Sequence, residues 1–154
     1  MHLQSPAFPS NGSIPAQFTC DGINISPPLH WDSPPVGTQS LALVVDDPDA
    51  PQQTFTHWVI YNLPTYLREL PEGVAPYPQL PEGSIQGKND FGRLGFGGPC
   101  PPRGTHRYFF KLFALDQQLP LAPGASKTEV MQAMTGHILE SVELIGCYAR
   151  QGDR

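Results

Sequence analysis

Short apolar runs bounded by Pro, Gly, Asp and Asn are the main recurring feature of the chain. The four longest occupy residues 39–46, 55–62, 107–115 and 140–150. Runs of this length with such boundaries are typical of strands, and apolar residues on both alternating faces indicate burial on both sides. A shorter strand is expected at residues 84–87. The pattern therefore predicts several strands buried between two sheets.

One segment, residues 127–135, carries a strong helix signal. Ser126 followed three residues later by Glu129 forms a capping box, in which each side chain bonds the other residue's backbone N–H. Gly136 suits the C-terminal cap. The apolar residues at helical spacing are predicted to be core rather than cofactor contacts: Val130, Met131 and Met134. A further short helical turn is expected at residues 65–70.

Proline and glycine are unusually frequent. The 19 prolines and 15 glycines are spread over the whole 154-residue chain, so they punctuate many turns rather than mark a linker. Proline has no N–H and a fixed φ, which favours short strands joined by elaborate loops. With 39% hydrophobic and 15% charged residues, the chain is globular in character and fits one core. We predict that residues 1–154 form a single mostly-β domain.

The acidic balance of the chain excludes some classes of partner. The formal net charge is -5 and the nine Lys and Arg residues form no cluster, whereas a nucleic-acid or anionic-membrane surface needs a basic face. No apolar run approaches the roughly 20 residues of a membrane span. Residues 1–8 lack the regions of a signal peptide. We predict no nucleic-acid binding, no stable membrane insertion and a cytoplasmic location, unless the chain is a processed form.

The cysteines give no clear pairing signal. Cys20, Cys100 and Cys147 are odd in number, widely spaced and free of any Cys-x-x-Cys pair. Cysteines in a reducing compartment remain reduced, so we expect three semi-buried thiols. A disulfide such as Cys20–Cys147 is the alternative that the spacing leaves open.

Acidic side chains concentrate in the segment D-D-P-D-A-P at residues 46–51, with His57 soon after. Three carboxylates in four positions repel one another, so they suit either a turn or a site that presents a proton, cation or hydrogen-bond donor. The structural alternative is an Asx-type turn in which Asp47 and Asp49 cap backbone amides. We favour that alternative for Asp49.

The second segment with reactive groups is G-G-P-C-P-P-R-G-T-H-R-Y at residues 97–108. Glycines allow backbone N–H groups to approach an anion, and prolines stiffen such a loop. His106 and Tyr108 lie two apart at the start of a predicted strand, so they share a face. Residues 88–104 are predicted to be a site-building loop, because long irregular loops in compact domains are usually functional.

The same segments resemble a known family. In order along the chain, the motifs are D-P-D-A-P, G-x-N-D-F-G, G-G-P-C-P-P-x-G and H-R-Y-x-F-x-L. They resemble the phosphatidylethanolamine-binding protein superfamily, and in particular its bacterial and archaeal YbhB/YbcL, Raf-kinase-inhibitor-like branch. The likeness covers nearly the whole chain, from residues 18–22 to 146–148, and the order and spacing of the motifs make it specific.

The resemblance implies an antiparallel two-sheet β-sandwich with one or two short peripheral helices, and one pocket for phosphate, acetate or phosphoryl head groups. Position by position, the family's pocket residues fall on Asp47, His57, Gly98, His106 and Tyr108, where the backbone around Gly98 faces the anion. Support from the same motifs is expected of Asp49, Pro51, Pro99, Pro101 and Arg107. The branch also implies a homodimer.

These features predict a binding or regulatory protein rather than an enzyme, with a small phosphorylated or carboxylated ligand. Two imidazoles and a phenol can all donate hydrogen bonds to an anion. We predict no cofactor and no metal, because no spacing matches a known metal motif.

Two alternatives stay open. The first is a small-molecule hydrolase that uses the Asp/His pocket, since one Asp with two His is also the composition of a hydrolase or open metal site. The second is an inhibitor whose surface around the pocket docks on a protein partner, a kinase or a protease.

Overall fold

The computed structural model describes residues 1–152. Its strands, in chain order, are β1 Leu3–Gln4, β2 Gly12–Ser13, β3 Leu29–Trp31, β4 Ser40–Asp47, β5 Phe55–Leu63, β6 Glu69–Leu70, β7 Ile85–Gln86, β8 His106–Leu115 and β9 Ile138–Tyr148. Helix α1 spans Lys127–Met134, and a 3-10 turn spans Ala16–Phe18. The four long predicted strands are confirmed as β4, β5, β8 and β9, each bound shifted by no more than two residues, and the short one is confirmed as β7.

The strands form two sheets, as the sequence predicts. The smaller sheet has the order β1-β3-β6, and the larger has the order β2-β9-β8-β4-β5-β7. The expectation of wholly antiparallel sheets is wrong at one edge, because β2 pairs with β9 in parallel. β2 and β9 lie near opposite ends of the chain and run parallel, so no hairpin turn joins them and the pairing leaves no local turn signal.

The larger sheet is buried on both of its faces. One face packs on the smaller sheet, where Trp31 meets Trp58 and Phe110 in a single core cluster. The opposite face packs on α1 through Val130 and Met134. The sequence pattern predicts burial between two sheets, whereas the second cover is a helix. This explains why every residue of β4 is buried.

The predicted helix is confirmed together with its cap. The Ser126 hydroxyl accepts from the Glu129 N–H, and the Glu129 carboxylate accepts from the Ser126 N–H. Thr135 is the C-terminal cap, one residue earlier than expected, and Gly136 follows with φ 82°. A left-handed φ of this kind favours glycine.

The helical turn expected at residues 65–70 is largely wrong. Thr65 and Tyr66 form a turn, but Glu69–Leu70 is strand β6. Leu70 pairs with Leu29 across the smaller sheet and is buried in the core. Tertiary pairing therefore overrides the weak local helix preference.

The expectation of three reduced thiols is also wrong. Cys20 and Cys100 form a disulfide, with their Cα atoms 5.4 Å apart although 80 residues separate them in the sequence. Cys147 is free, so the Cys20–Cys147 pairing is not formed. In the folded chain, residues 18–24 pack against residues 97–100. There the Cys20 N–H donates to the Pro99 carbonyl at 3.1 Å. Spacing alone cannot reveal a contact of this range.

Removing the disulfide with Cys20→Ser and Cys100→Ser together should lower the free energy of unfolding by about 2–4 kcal/mol, because the cross-link restricts the unfolded chain over a long loop. Urea unfolding without reductant measures this. Cys147→Ser is the matched control and should change stability by no more than about 0.5 kcal/mol. Equal stability of the double variant and the wild type would contradict the disulfide.

Candidate functional site

The polar residues singled out in the sequence meet where three strands end or begin. β4 runs antiparallel to both β5 and β8, so its C-terminal end lies beside the first residues of its two neighbours. This brings Asp47 from β4 next to His57 from β5, and next to His106 and Tyr108 from β8. All four residues are buried, with 0 to 7% of their surface exposed.

A β-bulge positions His57. Val45 pairs with Trp58, but Asp46 pairs with Thr56, so β5 carries one extra residue at this point. Strand residues normally alternate between faces. The bulge instead lets His57 and Trp58 turn to the same face, with the His57 ring 5.2 Å from that of Tyr108 and Trp58 in the core between the sheets. Bulges commonly re-aim a side chain in this way.

Asp47 is fully engaged within the protein. Its Oδ2 lies 2.6 Å from His106 Nδ1, and its Oδ1 accepts the Asp49 N–H at 2.8 Å. An ionised carboxylate can only accept, so it holds the hydrogen of His106 on Nδ1 and leaves Nε2 for the cavity. Asp47 therefore both caps its turn and orients an imidazole.

His57 is oriented by a different partner. Its Nδ1 lies 2.7 Å from the carbonyl oxygen of Gly97. Because a carbonyl can only accept, Nδ1 carries the hydrogen and Nε2 is left for the cavity. Burial lowers the pKa of His57 below its usual 6.5, in spite of the Gly97 hydrogen bond and the nearby Asp47 charge. In the free protein His57 is therefore neutral near pH 7, with Nε2 as an acceptor.

The hydroxyl of Tyr108 is the exception in this satisfied cluster. Within residues 1–152 it is the one fully buried side-chain nitrogen or oxygen without a hydrogen-bond partner. Burial, with the Asp47 charge second, raises the pKa of Tyr108, so the phenol stays protonated and remains a donor. An unsatisfied buried hydroxyl costs about 1–3 kcal/mol and calls for an explanation.

These side chains line a cavity of about 190 Å³. Its polar base is Asp47, His57, His106 and Tyr108, and its walls are Ala50, Pro51, Phe55, Phe91, Cys100, Pro101 and Pro102. The ring of Phe91 lies 4.8 Å from that of Phe55 and 5.5 Å from that of His57. A larger open groove of about 650 Å³ lies between β1 and β9, but the buried polar cluster is not part of its lining.

The long loop after β7 builds this wall because it is bonded along β5. The Asp90 N–H donates to the Thr56 carbonyl, and the Asp90 carboxylate accepts the Thr56 N–H. Further along, the Gly97 N–H donates to the His57 carbonyl at 2.9 Å. Phe91 therefore stands at a fixed place over the cavity. The loop is irregular, yet the backbone N–H groups of Asp90 and Gly97 are paired with β5.

Gly98 is the one predicted ligand-binding residue that the structure places outside the cavity lining. Its N–H donates to Asn24 Oδ1 at 2.8 Å. A Cβ at this position would stand 2.2 Å from the same oxygen and 2.5 Å from the Phe18 carbonyl. Close packing against residues 18–24 thus requires glycine here, and its N–H already has a partner in the protein.

The expected supporting residues have separate placements. Pro51 and Pro101 line the cavity, whereas Pro99 lies outside it. Asp49 accepts from the Arg107 backbone N–H, Nε and Nη2, each at 2.9 Å. These hydrogen bonds, led by the side-chain ones, lower the pKa of Asp49 to about 2. The pair ties the turn after β4 to the start of β8 at the edge of the site.

Five residues of the cavity wall were not predicted as site residues from the sequence, and they are mostly apolar: Ala50, Phe55, Phe91, Cys100 and Pro102. Four of them lie within or beside the two segments that the sequence singles out, and the fifth, Phe91, belongs to the G-x-N-D-F-G motif. The available signal was proximity to those motifs. No residue type in the wall indicates a site by itself.

Neither a metal centre nor a membrane span is found in the described part of the chain. Over residues 1–152 no three His, Cys, Asp or Glu side chains are grouped so that they could hold a metal ion. The one helix within that range is far too short and too polar to cross a bilayer. The predicted independence from metals and cofactors stays a prediction.

The family model described as phosphatidylethanolamine-binding protein matches residues 4–149. The chain belongs to this family. Among similar family members are UPF0098 proteins of Methanothermobacter thermautotrophicus, 56% identical over 97% of this chain and 99% of that one, and of Aquifex aeolicus, 52% identical over 97% of this chain and 89% of that one.

Solved structures of the family confirm the fold and the predicted bacterial and archaeal branch. Escherichia coli YbcL, described as a new member of the mammalian family, is 33% identical with a TM-score of 0.89, and the match covers 97% of this chain and 98% of YbcL. A putative homolog from Chlamydia trachomatis, CT736, is 37% identical with a TM-score of 0.89, and the match covers 97% of each chain.

Gly97→Ala tests the packing of the cavity wall. A Cβ at residue 97 would lie 2.4 Å from the Phe91 ring, so we expect the substitution to lower the free energy of unfolding by about 1–3 kcal/mol through overpacking. In a Phe91→Ala background the same substitution should cost clearly less. Urea unfolding of the four proteins gives this coupling, and equal costs in both backgrounds would contradict the contact.

Proposed function

We propose that this protein binds a small anion, a phosphate or carboxylate group, in the cavity formed by Asp47, His57, His106 and Tyr108. The observation that carries the proposal is the buried Tyr108 hydroxyl, which has no partner among the described residues. A buried donor that has no acceptor within the protein can be satisfied by an acceptor on a bound ligand. Membership of the phosphatidylethanolamine-binding protein family supports a binding or regulatory role.

Anion binding requires a change of protonation at His57. Neutral His57 offers the ligand only the lone pair of Nε2, because Nδ1–H is used by Gly97, and a lone pair repels an anion. Protonation turns Nε2 into a charged donor, and hydrogen bonds between charged groups are the stronger ones. Binding should therefore take up a proton at neutral pH.

The size of the cavity limits the ligand. About 190 Å³ is less than the roughly 300–1,000 Å³ of pockets that enclose a drug-sized molecule. The cavity therefore suits a head group, with the remainder of the ligand leaving past Pro51, Phe91 and Pro102. A phosphorylated side chain of a partner protein would meet this description, and so would a free metabolite with a phosphate group.

The Asp47–His106 pair also gives some support to a hydrolase. A carboxylate-oriented imidazole is the base half of a catalytic triad. However, the cavity lining contains no Ser, Thr or Lys, and the sulfur of Cys100 is held in the disulfide. A hydrolase at this site would therefore have to use an activated water molecule as its nucleophile.

We expect no turnover of nitrophenyl phosphate or nitrophenyl acetate above that of a His106→Gln control. Turnover that depends on His106 would favour the enzyme.

Inhibition of a kinase or protease, a homodimer and a cytoplasmic location remain proposals that depend on partners and cells. The mouth of the cavity is the surface that would serve an inhibitor.

Tyr108→Phe should weaken phosphate binding and stabilise the free protein at the same time. Loss of a hydrogen bond to a charged ligand costs about 1–3 kcal/mol of binding, while removing an unsatisfied buried hydroxyl should raise the free energy of unfolding by about 1 kcal/mol. Calorimetric titration with phosphate and urea unfolding measure the two effects.

The matched control is Tyr61→Phe. The Tyr61 hydroxyl donates to the Ala122 carbonyl on the other face of the larger sheet. This variant should lose about 0.5–1.5 kcal/mol of stability and bind phosphate like the wild type. If both variants bind equally well, Tyr108 does not contact the anion.

The pH dependence of binding follows from the lowered pKa of His57. Above that pKa the free protein lacks the proton that the complex needs, so affinity should fall as pH rises, by up to about tenfold per pH unit for one proton. Sulfate is the better probe, since its own charge is constant from about pH 5 to 8, whereas phosphate titrates. His57→Gln should remove the part of this pH dependence that comes from His57, and what remains would come from His106, whose Nε2 also faces the cavity. A flat profile in the wild type would contradict proton uptake.

A further inference from the structure

The Cys20–Cys100 disulfide lies in the wall of the cavity. Cys100 lines the cavity beside Pro101 and Pro102 and is exposed, while Cys20 is partly buried. The bond therefore joins one wall of the binding site to a segment 80 residues away in the sequence.

Other ties hold only the first half of this wall. The Gly97 N–H donates to the His57 carbonyl, the Gly98 N–H donates to Asn24, and the Pro99 carbonyl accepts from Cys20. All three fall at or before residue 99. Pro101 and Pro102 have no N–H to donate. Within residues 1–152, the disulfide is thus the one bond that ties residues 100–102 to another segment, and the other restraint on them is the packing of the buried Pro101.

The same wall also controls an essential imidazole. The carbonyl of Gly97 holds the hydrogen of His57 on Nδ1, and the ring of His57 is one of the four side chains of the polar base. Movement of residues 100–102 would therefore change the shape of the wall beside this imidazole. A flexible site must be ordered when the ligand binds, and this lowers affinity.

We propose that Cys20 and Cys100 form a redox-sensitive latch on the anion cavity. With the disulfide formed, the wall is fixed and the anion binds; with the disulfide reduced, residues 100–102 gain freedom and affinity falls. The inference rests on the proposed anion-binding function and adds a means of regulating it.

A dithiol is the class of reductant that fits this geometry. Its first thiolate attacks the sulfur of Cys100, the more exposed of the two residues, breaks the bond between the two protein sulfurs and releases Cys20 as a thiolate, which takes a proton. Its second thiolate attacks the mixed disulfide and releases Cys100, which is protonated in turn. The protein gains two electrons and two protons, and the dithiol becomes a disulfide.

The test is a calorimetric titration of inorganic phosphate into the full chain, oxidised and after treatment with dithiothreitol. Thiol titration should rise from one free cysteine, Cys147, to all three in the chain. We expect the dissociation constant to rise at least fivefold on reduction and to recover on reoxidation. Cys147→Ser, the matched control, should respond in the same way.

The double variant Cys20→Ser/Cys100→Ser should bind phosphate like the reduced wild type, with or without dithiothreitol. A second readout does not depend on that variant folding: amide exchange in the reduced wild type should be faster at Cys100 and Arg103, with the strand amides of β4 and β8 still protected.

The outcomes separate the two claims. Reduced protein that shows three thiols and binds phosphate as tightly as oxidised protein overturns the latch and leaves the proposed function standing. Unchanged amide exchange at Cys100 also overturns the latch. Oxidised protein that binds no phosphate overturns the proposed function and, with it, the inference that rests on it.

Discussion

Polar groups buried in a protein must find hydrogen-bond partners, and this requirement organises the whole site. Asp47, His57 and His106 are buried at one end of a sheet that is otherwise apolar, and each has a partner fixed by the fold. The Tyr108 hydroxyl lacks one. A buried hydroxyl without a partner destabilises the folded protein, so its presence calls for an explanation. A ligand acceptor is the simplest partner that the geometry allows.

The partners of the two imidazoles come from distant parts of the chain. His106 is oriented by the end of β4, and His57 by a loop that runs along β5. This loop is held in turn by the hydrogen bonds between Asp90 and Thr56 and by the contact of residues 97–100 with residues 18–24. Long-range contacts therefore determine where the imidazole hydrogens lie. In this way the disulfide, far away in sequence from the acidic segment, becomes part of the same site.

The fold could be predicted well where the signal is local. The apolar runs indicate β4, β5, β8 and β9, and the capping box of Ser126 and Glu129 indicates α1, because periodicity and capping depend on neighbours in sequence. The parallel pairing of β2 and the Cys20–Cys100 bond could not be predicted, because each joins segments separated by most of the chain. Leu70 shows the same limit, since a two-residue strand has almost no propensity signal.

The candidate site likewise has some residues that the sequence could predict and some features that it could not. Asp47, His57, His106 and Tyr108 could be proposed because the family motifs contain them, and antiparallel pairing brings them together. The family resemblance implies that the backbone around Gly98 faces the anion, and glycine permits a close approach of this kind. Here the close approach is to Phe18 and Asn24. The bulge at His57 could not be predicted, because the strand residues around it follow an ordinary pattern.

The most direct measurement is a long-range ¹H–¹⁵N NMR spectrum of the histidine rings at pH 7, with and without phosphate. The account predicts that His57 in the free protein is neutral with its hydrogen on Nδ1, and that saturating phosphate converts it to the imidazolium, with both ring nitrogens protonated. A His57 ring that carries its hydrogen on Nε2, or one whose nitrogen shifts do not move when phosphate is added, would contradict the account.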